Sequence, residues 1–179
     1  TAWKLGDPTA KEEGRLTLNP LKHLDPFGVL AFVIMKIGWA KPVPVNPRYF
    51  RDPQKGMLIT ALAGPVANLL LAVISAVLVK MLAAVPVSSQ FMLNLVGPMY
   101  YMVGISVSIN VMLAVFNLLP IPPLDGSRIL MGVLPPDKAM GYARLEPYGF
   151  IIVLLLFYMG IIGKVLMPII DFTVGLMIG

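Results

Sequence analysis

The stretch FMLNLVGPMYYMVGISVSINVMLAVFNLL, from Phe91 to Leu119, decides the fold class because its 29 residues include no charged side chain. A helix needs about 20 apolar residues to cross the hydrocarbon core of a bilayer. The small residues within it would let another helix backbone approach closely, and they are Gly97, Gly104, Ser106 and Ser108. The stretch therefore predicts a transmembrane helix that packs against other helices.

Two further stretches, residues 57–84 and 148–178, are also long and apolar enough to cross a bilayer. The second is broken by single charged and prolyl residues, which predicts one tilted helix or a helix followed by a short bent segment. A shorter apolar run, residues 27–37, predicts a re-entrant or interfacial segment. The predicted fold is thus an all-α polytopic integral membrane protein with about three long membrane helices.

The composition excludes a soluble globular domain, because 58% of the residues are hydrophobic and only 13% are charged, with a mean hydropathy of +0.83. The absence of cysteine excludes a disulfide scaffold, a thiolate metal site and a cysteine nucleophile. The net charge of +5 is scattered between apolar runs rather than gathered on one polar face, so no nucleic-acid partner is expected. The expected surroundings are a lipid bilayer.

The basic residues predict the orientation of the chain. Nine of the 14 Lys and Arg residues lie in residues 1–56, and three more lie in residues 120–147. Two crossings separate these regions, so both lie on one side, which the positive-inside rule makes cytoplasmic. We predict a single membrane-embedded domain over residues 1–179, composed of a cytoplasmic-side and re-entrant region (1–56), membrane segments (57–84, 91–119 and 148–178) and a loop (120–147).

The stretch Gly38–Pro47 contains three prolines and cannot be a helix. Proline in a sheet is confined to edge strands, so the stretch predicts an exposed edge or a small β-hairpin that includes Val43 and Val45. Such an edge can accept an extended peptide as an added strand. A proline-stiffened surface loop is the alternative.

The uncharged span ends in Phe116–Gly126, where Pro120 and Pro122 break the helix before Asp125. Irregular backbone near membrane depth is tolerated where protein buries it or where it lines a wet cavity. The Asp125 carboxylate could ligate a divalent cation, act as a general base, or pair with Arg128. Alternatively, Asp125 caps the helix that follows it.

Two other polar side chains are considered, Asn68 as a candidate inside a membrane span and His23 as a candidate ligand. Asn68 lies inside the first long stretch, three residues after Pro65. Its amide could bond a carbonyl that the proline frees, or it could face a substrate. His23 is the only histidine and lies between two Asx-Pro pairs, which are typical of turns. A lone histidine cannot form a two-histidine metal site.

An ordered series of motifs over about residues 1–130 resembles the site-2 protease family of zinc-dependent intramembrane metalloproteases, in its small prokaryotic type. The motifs are Leu5–Ala10, Gly14–Pro20, His23–Pro26, Gly38–Pro47, Ala63–Pro65 with Asn68, and Asn117–Gly126.

The resemblance implies a zinc ion bound by the two histidines of a His-Glu-x-x-His motif and by the aspartate of the Leu-Asp-Gly motif, which is Asp125 here. Three protein ligands and one open position form the layout of a catalytic zinc. The resemblance also implies that Val43 and Val45 present an edge to an unwound substrate. The remaining residues for which it implies substrate binding or support of the site are Asn68, Asn117, Pro120 and Pro122.

The sequence departs from the family because it contains no His-Glu-x-x-His motif. We expect that the chain starts just downstream of that motif, so that it holds one zinc ligand of three and lacks the catalytic glutamate. The parent protein is expected to cleave membrane-spanning peptides in a prokaryotic inner membrane, from a site that faces the cytoplasm. The alternatives are a catalytically inactive relative that binds membrane segments, and a small transporter or channel subunit that uses Asp125 to coordinate ions.

Overall fold

The computed structural model describes residues 1–35 and 38–179 of the chain, and its regular structure there is helical. The α-helices are α1 (Thr9–Glu12), α2 (Pro26–Met35), α3 (Pro53–Ala83), α4 (Gln90–Asn117), α5 (Asp125–Val133), α6 (Pro136–Ala143), α7 (Gly149–Tyr158) and α8 (Ile161–Ile178). Short 3-10 turns occupy Ala2–Leu5, Pro20–Lys22, Pro47–Tyr49 and Glu146–Tyr148.

Within residues 1–35 and 38–179, four helical runs are long and apolar enough to span a membrane, namely Pro53–Ala83, Gln90–Asn117, Pro136–Tyr158 and Ile161–Ile178. The predicted class, an all-α polytopic integral membrane protein, is confirmed. The number of these runs is four rather than about three, because Gly160 divides residues 148–178 and the part before it continues a run that begins at Pro136. Gly160 has a φ of +70°, a left-handed conformation that ends α7 and that glycine adopts without steric cost.

The chain divides into two compact units, Thr1–Thr60 and Ala61–Gly179. In the first unit, Phe50 is buried and packs directly against Gly56. The predicted interfacial segment, residues 27–37, corresponds to α2 (Pro26–Met35), while Lys36 and Ile37 lie outside the described residues.

Residues 41–46 of the first unit form no regular strand or helix, and Asn46 has extended backbone angles, with φ −109° and ψ 106°. Lys41, Val43 and Asn46 each precede a proline, which favours the extended region and agrees with the prediction. Among the described residues, one isolated antiparallel bridge joins Leu24 to Ala40, in place of the predicted small hairpin. The prolines explain this, because Pro42 and Pro44 have no N–H to donate to a ladder.

The core of the second unit lies between α3, α4 and α8. Its buried side chains are Ala72, Ala76, Val79, Val107, Val111, Ile162, Leu166 and Ile170. Three polar side chains within these helices are paired: the hydroxyls of Ser75 and Ser106 lie 3.0 Å apart, and the Asn110 amide donates to the Ser106 carbonyl at 2.9 Å. Such pairing satisfies polar groups that lipid cannot hydrogen-bond.

Two glycines near the start of α8 provide a matched pair of substitutions. Gly160→Ala places a side chain in the left-handed region and should reduce the free energy of unfolding by about 1–2 kcal/mol. Gly163→Ala lies inside α8, where an added Cβ meets open space, and should raise it by up to about 1 kcal/mol. Unfolding in mixed detergent measures both variants, and equal effects would contradict the break at Gly160.

Candidate functional site

Asp125 is the first residue of α5, directly after the proline-broken segment. The N-cap residue of α5 is Leu124, and no side chain forms a cap hydrogen bond there. The alternative in which Asp125 caps the following helix is therefore wrong. The carboxylate is instead available to a ligand, and its position in the first turn of a helix favours a negative charge.

The carboxylate of Asp125 packs against the backbone of α3 at Gly64. A Cβ built on Gly64 would lie 2.9 Å from Oδ2 and 3.9 Å from Cγ of Asp125. Any side chain at position 64 would therefore occupy the space that the carboxylate uses. Asn68 is half-buried and lies one helical turn after Gly64, so the two residues share one face of α3.

The ionisation of Asp125 reflects its surroundings. Burial raises the pKa of the Asp125 carboxyl above its usual value, and the positive charge of Arg128 lowers it by a smaller amount. A bound divalent cation would act in the opposite direction to burial, since it favours the ionised carboxylate.

The segment between α4 and α5 is a chain of tight turns. Asn117 is half-buried and ends α4. Beyond it, the Ile121 amide donates to the Leu119 carbonyl at 2.8 Å, and the Leu124 amide donates to the Ile121 carbonyl at 3.0 Å. The Pro122-Pro123 peptide bond is cis. These turns carry the chain from the end of a membrane helix to Asp125 over seven residues.

Three contacts that the sequence did not predict hold this segment in place. The hydroxyl of Tyr142 in α6 donates to the carbonyl of Pro120 at 2.5 Å. Gly149, at the start of α7, lies so close to buried Pro122 that a Cβ would collide with its carbonyl. Gly126 makes an equally close approach to the Leu118 carbonyl.

In the sequence, a glycine next to a carboxylate or a turn was the feature that could have indicated a close backbone approach. Gly64 stands in the Ala63–Pro65 motif, and Gly126 follows Asp125 directly. The pattern itself does not show which backbone each glycine approaches. Tyr142 and Gly149 carry no motif.

The described residues offer one metal ligand rather than a complete set. In the parts of the chain that the structure describes, His, Asp and Glu side chains form no group of three that could hold a metal ion. His23 is engaged elsewhere, since its Nε2 lies 2.9 Å from the Thr17 carbonyl oxygen. Asp125 fits one ligand position of a zinc site, because it is a half-buried carboxylate at the end of an irregular segment.

The extended segment with Val43 and Val45 belongs to the first unit. Val43 is exposed and Val45 is half-buried. Arg15 donates from Nη2 to the Lys41 carbonyl at 2.7 Å.

At its other end the segment is bonded to Asp7, which accepts the Asn46 amide at 2.8 Å. Burial by itself would raise the pKa of Asp7, but hydrogen bonds from Thr9 and from the Asn46 amide outweigh it and hold the pKa below its usual value. Asp7 is therefore a buried, ionised acceptor. Substrate binding by Val43, Val45, Asn68, Asn117, Pro120 and Pro122 stays a prediction.

Comparison with known proteins gives consistent similarities. The model of the family described as "Peptidase family M50" matches residues 26–160. "Putative zinc metalloprotease YwhC" of Bacillus subtilis is 41% identical over 170 residues, which are 95% of this chain and 77% of that protein. "Putative zinc metalloprotease Rip2" of Mycolicibacterium smegmatis is 35% identical over 162 residues, 87% of this chain and 58% of that protein.

A third relative, "Zinc metalloprotease MJ0392" of Methanocaldococcus jannaschii, is 32% identical over 93 residues, 51% of this chain and 23% of that protein. This chain therefore spans little more than half the length of Rip2 and less than a quarter of MJ0392. No solved structure matches the chain.

Tyr142→Phe removes the hydroxyl that fixes the segment before Asp125. Because a lost hydrogen bond of this kind costs about 1 kcal/mol, the amides of Ile121 and Leu124 should exchange with solvent roughly fivefold faster. Tyr148→Phe is the control, because Tyr148 is exposed. Equal exchange in both variants, measured by hydrogen–deuterium exchange, would contradict the role of Tyr142.

Proposed function

Because the chain belongs to peptidase family M50, the site-2 protease family, we propose that it is the membrane core of a zinc metallopeptidase that cleaves peptides within the bilayer. The relatives carry the name of zinc metalloproteases. The whole protein's activity, its substrate and its partner are part of this proposal.

The observation that carries the proposal is the position of the Asp125 carboxylate. A carboxylate near membrane depth is costly unless it is paired or coordinates a metal. Asp125 follows the end of an uncharged span, comes directly after a segment of irregular backbone, and lies against a glycine that leaves room for its oxygens. This arrangement suits a metal ligand better than it suits a structural side chain.

Asp125 would supply one ligand of the zinc ion. When bound, the zinc supplies a water of lowered pKa that can attack a peptide carbonyl at neutral pH. We assign neither the other two ligands nor the general base, because this sequence contains no His-Glu-x-x-His motif. Asn68 shares a helix face with Gly64 and would hold the carbonyl or amide of a bound peptide.

The substrate would be a membrane-spanning peptide that is locally unwound. A helical substrate keeps its amides in its own hydrogen bonds, so cleavage requires an extended stretch. Val43 and Val45 lie in an extended segment whose main chain would bond such a stretch as an added strand.

The protein would lie in a prokaryotic cell membrane with its site toward the cytoplasm. The excess of Lys and Arg in residues 1–56 supports this orientation through the positive-inside rule. The three relatives described above come from two bacteria and one archaeon.

The test uses the full-length gene product, purified in detergent. We expect about one zinc per chain by mass spectrometry of metals, loss of that zinc in Asp125→Ala, and retention in Asp137→Ala, an exposed control. Cleavage of a membrane-spanning reporter peptide should follow the zinc content. If the full-length protein binds the reporter but contains no zinc and does not cleave it, the proposal is contradicted. That result would support the alternative of an inactive relative that binds membrane segments.

Gly64→Ala tests the packing of the carboxylate separately from the fold. The added Cβ should displace the flexible end of Asp125 and weaken zinc binding by roughly tenfold, the usual effect of disturbing the surroundings of a ligand. The free energy of unfolding should not fall, since alanine is the better helix former. Gly97→Ala, where an added Cβ meets open space, is the control; equal zinc affinity in both variants would contradict the contact.

A further inference from the structure

The extended segment Lys41–Asn46 is held at both ends by buried charged side chains of opposite sign. Arg15 is 5% exposed and donates from Nη2 to the Lys41 carbonyl at 2.7 Å. Asp7 is completely buried, and its Oδ2 accepts the Asn46 amide at 2.8 Å. Both bonds reach the main chain, so they fix the backbone whatever side chains the segment carries.

These two bonds connect the segment to residues more than 25 positions away in sequence. Hydrogen bonds that involve a full charge are stronger than neutral ones. The Nε and Nη1 groups of Arg15 have no partner among the described residues. Among these residues, the buried guanidinium thus donates its hydrogen bond to the Lys41 carbonyl of the segment.

Between the two bonds, the segment leaves main-chain groups available. Pro42 and Pro44 have no N–H, and the N–H groups of Val43 and Val45 have no hydrogen-bond partner among the described residues. Residues two apart in an extended chain share one edge, so the two valine amides are presented together.

Antiparallel pairing occurs directly before Val43 and Val45 in the chain but does not extend to them. Leu24 and Ala40 form an antiparallel bridge, and the Lys41 amide donates to the His23 carbonyl at 2.8 Å. An added strand could continue this pairing along Val43 and Val45.

We propose that Asp7 and Arg15 are positioning residues that hold Lys41–Asn46 extended, so that the main chain of Val43 and Val45 is ready to pair with an incoming peptide strand. This inference rests on the proposed function only in its last part, the peptide. Fixing the backbone of a residue costs conformational entropy, and a segment fixed in advance avoids this cost when a peptide binds.

The first arm of the test measures the segment without any peptide. Because residues 1–179 contain no cysteine, Val43→Cys gives a single site for a nitroxide spin label within them. Asp7→Asn and Arg15→Met should each sharpen the spectrum, shortening the rotational correlation time at least twofold. Arg51→Met, at an exposed arginine of the same unit, is the control and should leave the spectrum unchanged.

Conservative variants separate positioning from general loss of structure. Asp7→Asn keeps an oxygen acceptor for Thr9 but turns an N–H₂ group toward the Asn46 amide, so it releases one end of the segment. Arg15→Lys keeps a charged donor for the Lys41 carbonyl and should restore part of the immobilisation that Arg15→Met removes. Unchanged spectra in Asp7→Asn and Arg15→Met would overturn the inference.

The second arm uses a fluorescent seven-residue peptide of alternating valine and threonine, and the same peptide N-methylated at alternate residues. We expect the plain peptide to bind the unlabelled protein, and N-methylation, Asp7→Asn or Arg15→Met to weaken binding by about fivefold each. Equal binding of the peptide to all variants would overturn the positioning role. No binding to the unsubstituted protein would contradict peptide capture in the proposed function, and the spectra alone would then decide the positioning role.

Discussion

The close contact between the Asp125 carboxylate and the α3 backbone at Gly64 is the constraint on which the site depends. It joins the irregular segment after α4 to the middle of another membrane helix. A carboxylate near lipid depth needs a partner that offsets its lost hydration. The absence of a side chain at Gly64 leaves the oxygens a defined place, where burial disfavours the charge and Arg128 partly compensates.

The segment that carries Asp125 is held by close backbone approaches rather than by a regular element. Gly126 and Gly149 allow carbonyl groups to come within a distance that any Cβ would prevent, and Tyr142 bonds the Pro120 carbonyl. Irregular backbone of this kind is stable near a membrane when protein groups satisfy it. Two of these three contacts come from α6 and α7, which carry no recognisable motif.

The sequence predicted those features that depend on local pattern. Long apolar runs identified the membrane helices, and three prolines identified the extended segment at Lys41–Asn46. The division at Gly160 was not predicted, because a glycine inside an apolar run is compatible with both a helix and a left-handed turn. An exposed edge or a small hairpin was predicted at Gly38–Pro47, and among the described residues the prolines leave one isolated bridge there, between Leu24 and Ala40.

The candidate site was predictable where a motif marked it and not where distant residues meet. Asp125 stood out as a carboxylate behind a proline-broken span. Gly64 and Tyr142 acquire their roles from packing between helices, which periodicity and spacing do not encode. The same holds for Asp7 and Arg15, whose partners lie 39 and 26 residues away in sequence.

The most direct test of the account is a disulfide cross-link between positions 64 and 125. The chain has no cysteine, so the double variant Gly64→Cys with Asp125→Cys contains a single pair. The account predicts oxidation of this pair in native membranes, because a Cβ at position 64 would lie 3.9 Å from Cγ of Asp125, the atom whose place the sulfur of a cysteine at position 125 would take. It predicts no cross-link when the first cysteine is at Val66, an exposed residue on another face of α3. Cross-linking from Val66 but not from Gly64 would contradict the contact and the site built on it.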